Sequence, residues 1–192
     1  MKIGEFIAIG AVAAIILMFV MGAVGPHSWI AKEWSNTPGQ SPASSNSVVG
    51  SPTISAQLID QLLCKSGNTA TCGTGQDLYN LGVQYGIDPS FATAVFKHES
   101  GFGTAGIAAQ THSLGNLRCI PDAACQGGYA AFGSWQQGYS AFYKLISGPL
   151  YVGAGLTTPE QILQRYAPVA DNNDPSGYAS DVEASMRDWR AA

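Results

Sequence analysis

Charge is scarce in this chain. Only 11% of its 192 residues are Asp, Glu, Lys or Arg, against about a quarter in ordinary globular domains. Nine Lys and Arg stand against thirteen Asp and Glu, a net charge of −4, and no basic block stands out. A nucleic-acid partner is therefore not expected, because the positive stripe that would neutralise phosphates is missing. Histidine is scarcer still, with three residues, and none joins the cysteines at zinc-finger or zinc-ribbon spacing. No metal site and no cofactor is expected. No stretch alternates apolar and polar residues with period two, and no segment repeats, which argues against a β-sandwich or a solenoid. What remains is rich in Ser, Thr, Asn, Gln and Gly, a composition suited to hydrogen-bonding something polar and uncharged, such as sugar.

The most apolar segment runs from Phe6 to Val24, "FIAIGAVAAIILMFVMGAV", without a charge. As a helix it would span roughly 28 Å, close to the thickness of a bilayer core. It is longer than the apolar core of a secretory signal, so residues 1–25 are read as a transmembrane signal anchor, although Ala23-Val24-Gly25 is small enough to permit cleavage. Lys2 and the amino terminus favour a cytoplasmic N-terminus. Residues 26–53, dominated by "WSNTPGQSPASSNSVVGSP", carry no helical or strand period and read as a flexible Ser/Pro/Gly-rich linker. Residues 54–192 form the folded domain.

Within it the apolar positions follow helical spacing. Ile54, Leu58 and Leu62 lie four apart, and Leu78, Leu81 and Tyr85 share a face that stops at Gly86. Asp88 caps a helix with Pro89 at its first position and Gly101 just past its end. Ser134 caps "WQQGYSAFYKLI", whose Trp135 and Tyr139 are read as core. Thr158, Pro159 and Gln161 form a capping box, and Asp174 or Ser176 starts a last helix through Tyr178, Val182, Met186 and Trp189. The expected fold is all-α: a compact domain of five to seven short helices. The four cysteines form two close pairs, Cys64 with Cys72 and Cys119 with Cys125. Four cysteines allow three connectivities, of which nearest-neighbour pairing closes two small polar loops, each worth about 2–3 kcal/mol. Disulfides imply an oxidising compartment, in keeping with a domain outside the cell membrane.

Glu99 is the residue whose placement asks for a function. It sits at the C-terminal end of its helix, where the helix dipole disfavours an anion. It also continues the stripe of Phe91 and Val95 at intervals of four. Burial and dipole both raise a carboxyl pKa, and a carboxylic acid that keeps its proton near neutral pH can protonate a leaving oxygen. A second carboxylate commonly assists in glycoside hydrolysis. Of the candidates, Asp174 reads as a helix cap and Asp122 as a turn residue, leaving Asp171. Alternatively, the substrate's own 2-acetamido oxygen attacks the anomeric carbon. Asn116 is placed to hydrogen-bond an N-acetyl group or to cap a turn.

"ESGFGTAG", "SLGNLRCI" and "YAPVADNNDPSGYASDVEASMRDW" together resemble the bacterial cell-wall endo-β-N-acetylglucosaminidases, the autolysin and flagellar-rod family of the lysozyme-like superfamily. The resemblance covers roughly Asp88 to Trp189. It implies a lysozyme-like helical fold, Glu99 as catalytic acid, and a catalytically important tyrosine in the segment holding Tyr166, Ala167, Asp174, Pro175 and Tyr178, with Tyr166 the candidate. Ser100, Asn116, Asp171 and Tyr178 are the expected substrate-binding residues around it. The family's "N-L-F-G-I" reads here as Asn116-Leu117-Arg118-Cys119-Ile120, and the spacer after Tyr166 is lengthened by "PVADNN". The expected function is a membrane-anchored, extracytoplasmic peptidoglycan hydrolase that cuts β-1,4 bonds of the glycan strand. The alternatives are a lytic transglycosylase, in which the sugar's 6-hydroxyl is the nucleophile, and a non-catalytic glycan-binding or assembly module.

Overall fold

The computed structural model describes residues 46–192. The expected anchor over residues 1–25, and most of the expected linker, lie outside the described residues. Among those described, no helix is long and apolar enough to cross a membrane.

The domain is helical, in the order α1 (Ala56–Lys65), α2 (Gly75–Tyr85), α3 (Pro89–Ser100), α4 (Ala108–Thr111), β1 (Ala124–Gln126), β2 (Tyr129–Ala131), α5 (Trp135–Ser147), α6 (Pro159–Tyr166) and α7 (Pro175–Arg190), with short 3-10 turns at Val152–Ala154 and Val169–Asp171. Local chemistry sets most of the boundaries. Asp88 accepts from the Ser90 N–H ahead of Pro89, and Ser134 accepts from Gln137. Both halves of the Thr158–Gln161 capping box form. Asp174 caps α7 by accepting from Gly177. α3 ends where Gly101 turns left-handed at φ 54°, a conformation glycine adopts without steric cost.

α3 is the axle of the domain. Every residue from Pro89 to Phe96 is buried, as is Ser100, the pattern of a helix enclosed on all sides. α7 packs on it, α6 packs on α7, and α2 lies between α1 and α5 while also touching α3. At the centre the Phe96 ring meets Phe142 edge-on at 4.8 Å and stacks near Tyr139 at 5.6 Å. Tyr139 and Tyr143 are fully buried, and neither phenol is left unpaired. Tyr139 meets the Thr74 hydroxyl at 2.9 Å, and Tyr143 donates to the Leu78 carbonyl at 3.0 Å. Trp135 is 8% exposed and belongs to the same core.

Two features depart from the expected layout. Residues 46–53 are not free linker. Val48 is wholly buried, its N–H donates to Thr157 O at 2.8 Å, and its carbonyl accepts from the Asp88 N–H at 2.8 Å. The folded domain therefore starts before residue 54. The second is a small antiparallel hairpin, β1 with β2, pairing Cys125 with Ala130. Its two-residue turn is Gly127-Gly128, both at positive φ, the conformation that short hairpins require.

Both cysteine pairs are disulfides, Cys64–Cys72 and Cys119–Cys125, so the nearest-neighbour connectivity holds. The first closes the loop between α1 and α2. The second binds the hairpin to the segment that follows Asn116.

Candidate active site

Glu99 lies on the last turn of α3 and is half-buried. Two side chains hold its carboxyl. The Tyr178 hydroxyl, from α7, donates to Oε1 at 2.8 Å. Asn116 Nδ2 donates to Oε2 at 3.2 Å and to the Glu99 backbone carbonyl at 2.9 Å. The backbone carbonyl is one of those a helix end leaves without an intrahelical partner, so one amide both closes the helix and steers its terminal acid. Asn116 does this from a left-handed turn at φ 49°, which Asn tolerates better than most residues. Asn116 thus takes the turn role expected of it and also orients the acid. Its Oδ1 is buried without a partner, a state costing about 1–3 kcal/mol.

Burial is the largest influence on the Glu99 carboxyl and raises its pKa above the ordinary carboxylate value. The bonds from Tyr178 and Asn116, with His98 and Arg118 nearby, pull it down without cancelling that rise. Tyr178 is itself pushed well above the phenol range by burial and by the neighbouring Glu99 charge. It therefore remains a donor at any physiological pH. Its ring, 6% exposed, stacks on His98 at 3.9 Å, and His98 Nδ1 lies 3.4 Å from Asp181 Oδ2.

Glu99 faces a cleft of about 420 Å³ whose walls include Asn116, Arg118, Tyr129, Arg165, Tyr166 and Asp171. That volume is within the range of small-ligand pockets, about 300–1,000 Å³. Arg118 lies over the Tyr129 ring at 5.3 Å, and Arg165 donates to the Leu150 carbonyl. Tyr166 also lines the cleft, with the Phe142 and Tyr151 rings packed near it at 6.1 and 6.2 Å. Its hydroxyl turns inward and donates to the Gly115 carbonyl. Gly115 has no room for a side chain there: a Cβ would stand 2.9 Å from the Phe142 ring and 3.0 Å from the Tyr166 oxygen.

The expected site residues divide into two groups. Glu99, Asn116, Tyr166 and Asp171 meet at the cleft. Ser100 does not bind from it. It is 1% exposed, its hydroxyl donates to Leu114 O at 2.8 Å, and it accepts from the Gly103 N–H at 3.0 Å. It ties the end of α3 to the segment that carries Asn116. Tyr178 also stands behind the acid instead of in the open cleft, holding Oε1 from the α7 side. Asp171 is exposed on its 3-10 turn, and Asp174 is spent on its cap. Sequence reasoning missed Arg118 and Arg165 as cleft residues. It also missed the αL backbone at Phe102, φ 58°, in the turn just after the acid, where a non-glycine residue is strained.

No known family model matches the chain, and no curated protein pairs with it in sequence. The site stands on its own geometry.

Proposed function

We propose that the chain is a glycoside hydrolase of the bacterial cell wall, of the N-acetylglucosaminidase type, with Glu99 as its general acid. The observation that carries this reading is the placement of one half-buried carboxyl with a raised pKa in the lining of a cleft that also presents Arg118, Arg165 and Asp171, oriented by Tyr178 and Asn116. In the reaction the Glu99 O–H protonates the glycosidic oxygen. The bond from that oxygen to the anomeric carbon breaks, and positive charge develops on the sugar. Tyr178 and Asn116 donate to the carboxylate left behind, so the anion forms where two donors already point. Water then adds to the anomeric carbon. Its proton passes to Asp171, or the 2-acetamido oxygen captures the carbon first and is displaced by water. Asp171 is exposed on its 3-10 turn while Glu99 is half-buried, so the two carboxyls stand in different surroundings. The Tyr166 ring supplies an aromatic wall for the sugar.

The two disulfides support a location in an oxidising compartment, and the apolar stretch from Phe6 to Val24 supplies a membrane anchor that holds the domain on the wall side. Peptidoglycan strands and the membrane are the proposed partners.

Mass spectrometry of purified peptidoglycan digested by the full chain tests the proposal. New reducing ends on N-acetylglucosamine are expected, and Glu99→Gln slows their appearance by at least about 100-fold. Ends on anhydro-muramic acid would replace hydrolysis with transglycosylation by the same acid. Cleavage that survives Glu99→Gln would remove Glu99 from the chemistry, and binding without cleavage would leave a docking module.

A further inference from the structure

Beside the Glu99 cleft lies a second hollow of about 450 Å³. Leu117, Ile120 and Leu145 line both, so the two share a wall. Their chemistry differs sharply. The acid's cleft presents Arg118, Arg165, Asp171 and Asn173. The neighbour is mainly hydrocarbon, with Phe132, Ala141, Pro149 and Leu150 added to the shared residues; its polar side chains are Gln137 and Ser140 and one charge of each sign, Asp122 and Lys144, both exposed. Leu150 is 59% exposed, large for a side chain with nothing to cover.

A sugar ring is a poor occupant for such a trough. Its many hydroxyls would find only four polar side chains among twelve lining residues, and each hydroxyl buried without a hydrogen bond costs about 1–3 kcal/mol in proteins. A short peptide with small aliphatic side chains is a better one: its methyl groups meet the aliphatic walls, a carboxylate meets Lys144 and an ammonium meets Asp122. On the function proposed above, such a peptide is already present. The wall polymer carries a short stem, with alanines, free carboxylates and in many walls a free amine, on the lactyl ether of every second sugar. A glycan seated with its scissile bond at Glu99 would project a stem from a neighbouring ring.

We propose that this trough is the subsite for the stem peptide, so that the enzyme reads peptide-bearing glycan in preference to bare glycan. The inference rests on the glycosidase reading of the cleft, and its test separates the two. The full chain is given intact peptidoglycan and the same polymer stripped of its stems by an amidase. The expected result is kcat/KM at least about tenfold lower on the stripped glycan. Lys144→Glu, at an exposed position, and Ala141→Trp, which fills the trough, bring the intact polymer down toward the stripped one. Equal cleavage of both polymers, or a preference untouched by either substitution, overturns the subsite while leaving the glycosidase standing. If neither polymer is cut, the glycosidase reading fails. Titration of the Glu99→Gln chain with the free stem tetrapeptide, followed by NMR, then decides the trough alone. Saturable shifts at Ala141 and Leu145 support it, and their absence overturns it.

Discussion

The two ends of α3 each hold a shielded carboxyl, and they treat it in opposite ways. At the N-terminal end Asp88 is 2% exposed. Burial pushes its pKa up, but donors from Thr53, Ser90 and Arg190 outweigh burial and leave it below the ordinary value. Thr53 N–H donates at 3.1 Å, Ser90 N–H at 3.0 Å and Arg190 Nη2 at 2.9 Å, and the positive end of the helix dipole adds to them. At the C-terminal end Glu99 has two side-chain donors and the negative end of the dipole, and burial wins. One helix thus favours the charged form of a carboxyl at its base and disfavours it at its tip. The same residue class builds structure or offers chemistry according to how many donors surround it.

Substitutions can break that contrast, and the largest effect is expected at the tip. Glu99→Gln should lower peptidoglycan cleavage by about 10²–10⁴-fold, the usual contribution of a general acid, while a urea melt shows no loss of stability. Asp88→Ala should do the reverse. It removes a buried acceptor shared by Thr53, Ser90 and the part-exposed Arg190, at a cost of about 1–3 kcal/mol, read as a lower urea midpoint. Reduction of both disulfides touches neither carboxyl and should cost about 2–3 kcal/mol per loop, visible as a lower melting temperature. Tyr178→Phe sharpens the comparison by removing a donor that lowers the Glu99 pKa. The alkaline limb of the pH–rate profile should move to higher pH, and a limb that stays or moves down would mean Tyr178 does not hold the acid.

The smallest expected effect is on stability against pH, and the two ends have opposite signs. Glu99 has a raised folded pKa, so its contribution is full below the unfolded value, near 4.3, and is lost as pH rises through the folded value. Glu99→Gln should therefore melt higher than the parent near pH 7 and lose that advantage in acid. Asp88 has a lowered folded pKa, so its contribution is full above the unfolded value, near 3.9, and is lost as pH falls through the folded one.

Much of this was legible in the chain. Caps and stops are local events, so Asp88, Ser134, Thr158 and Gly101 marked helix ends correctly, and the close cysteine pairs formed the disulfides their spacing favoured. Glu99 was legible because its position breaks the dipole rule. Features built by long-range contacts were not. The Asp88 cluster draws in Thr53 and Arg190, 35 and 102 positions away, and nothing local to Val48 announces that it will be buried against Asp88 and Thr157. Tyr178 was expected to bind substrate, and its hold on Glu99 was not legible because the two lie 79 residues apart. The hairpin strands are three residues each, too short for alternation to register, although Gly127-Gly128 was a usable turn signal. Ser100 misled because adjacency to the acid in sequence places it on a different side of the helix.

The Asp88 cluster also joins beginning and end. Thr53, from the first described residues, and Arg190, from the last helix, meet at 2.9 Å on the same aspartate. Trimming inward from either terminus would therefore unfasten the other. A version of the domain rewired to begin in an outer loop would have only a small gap to bridge between Thr53 and Arg190.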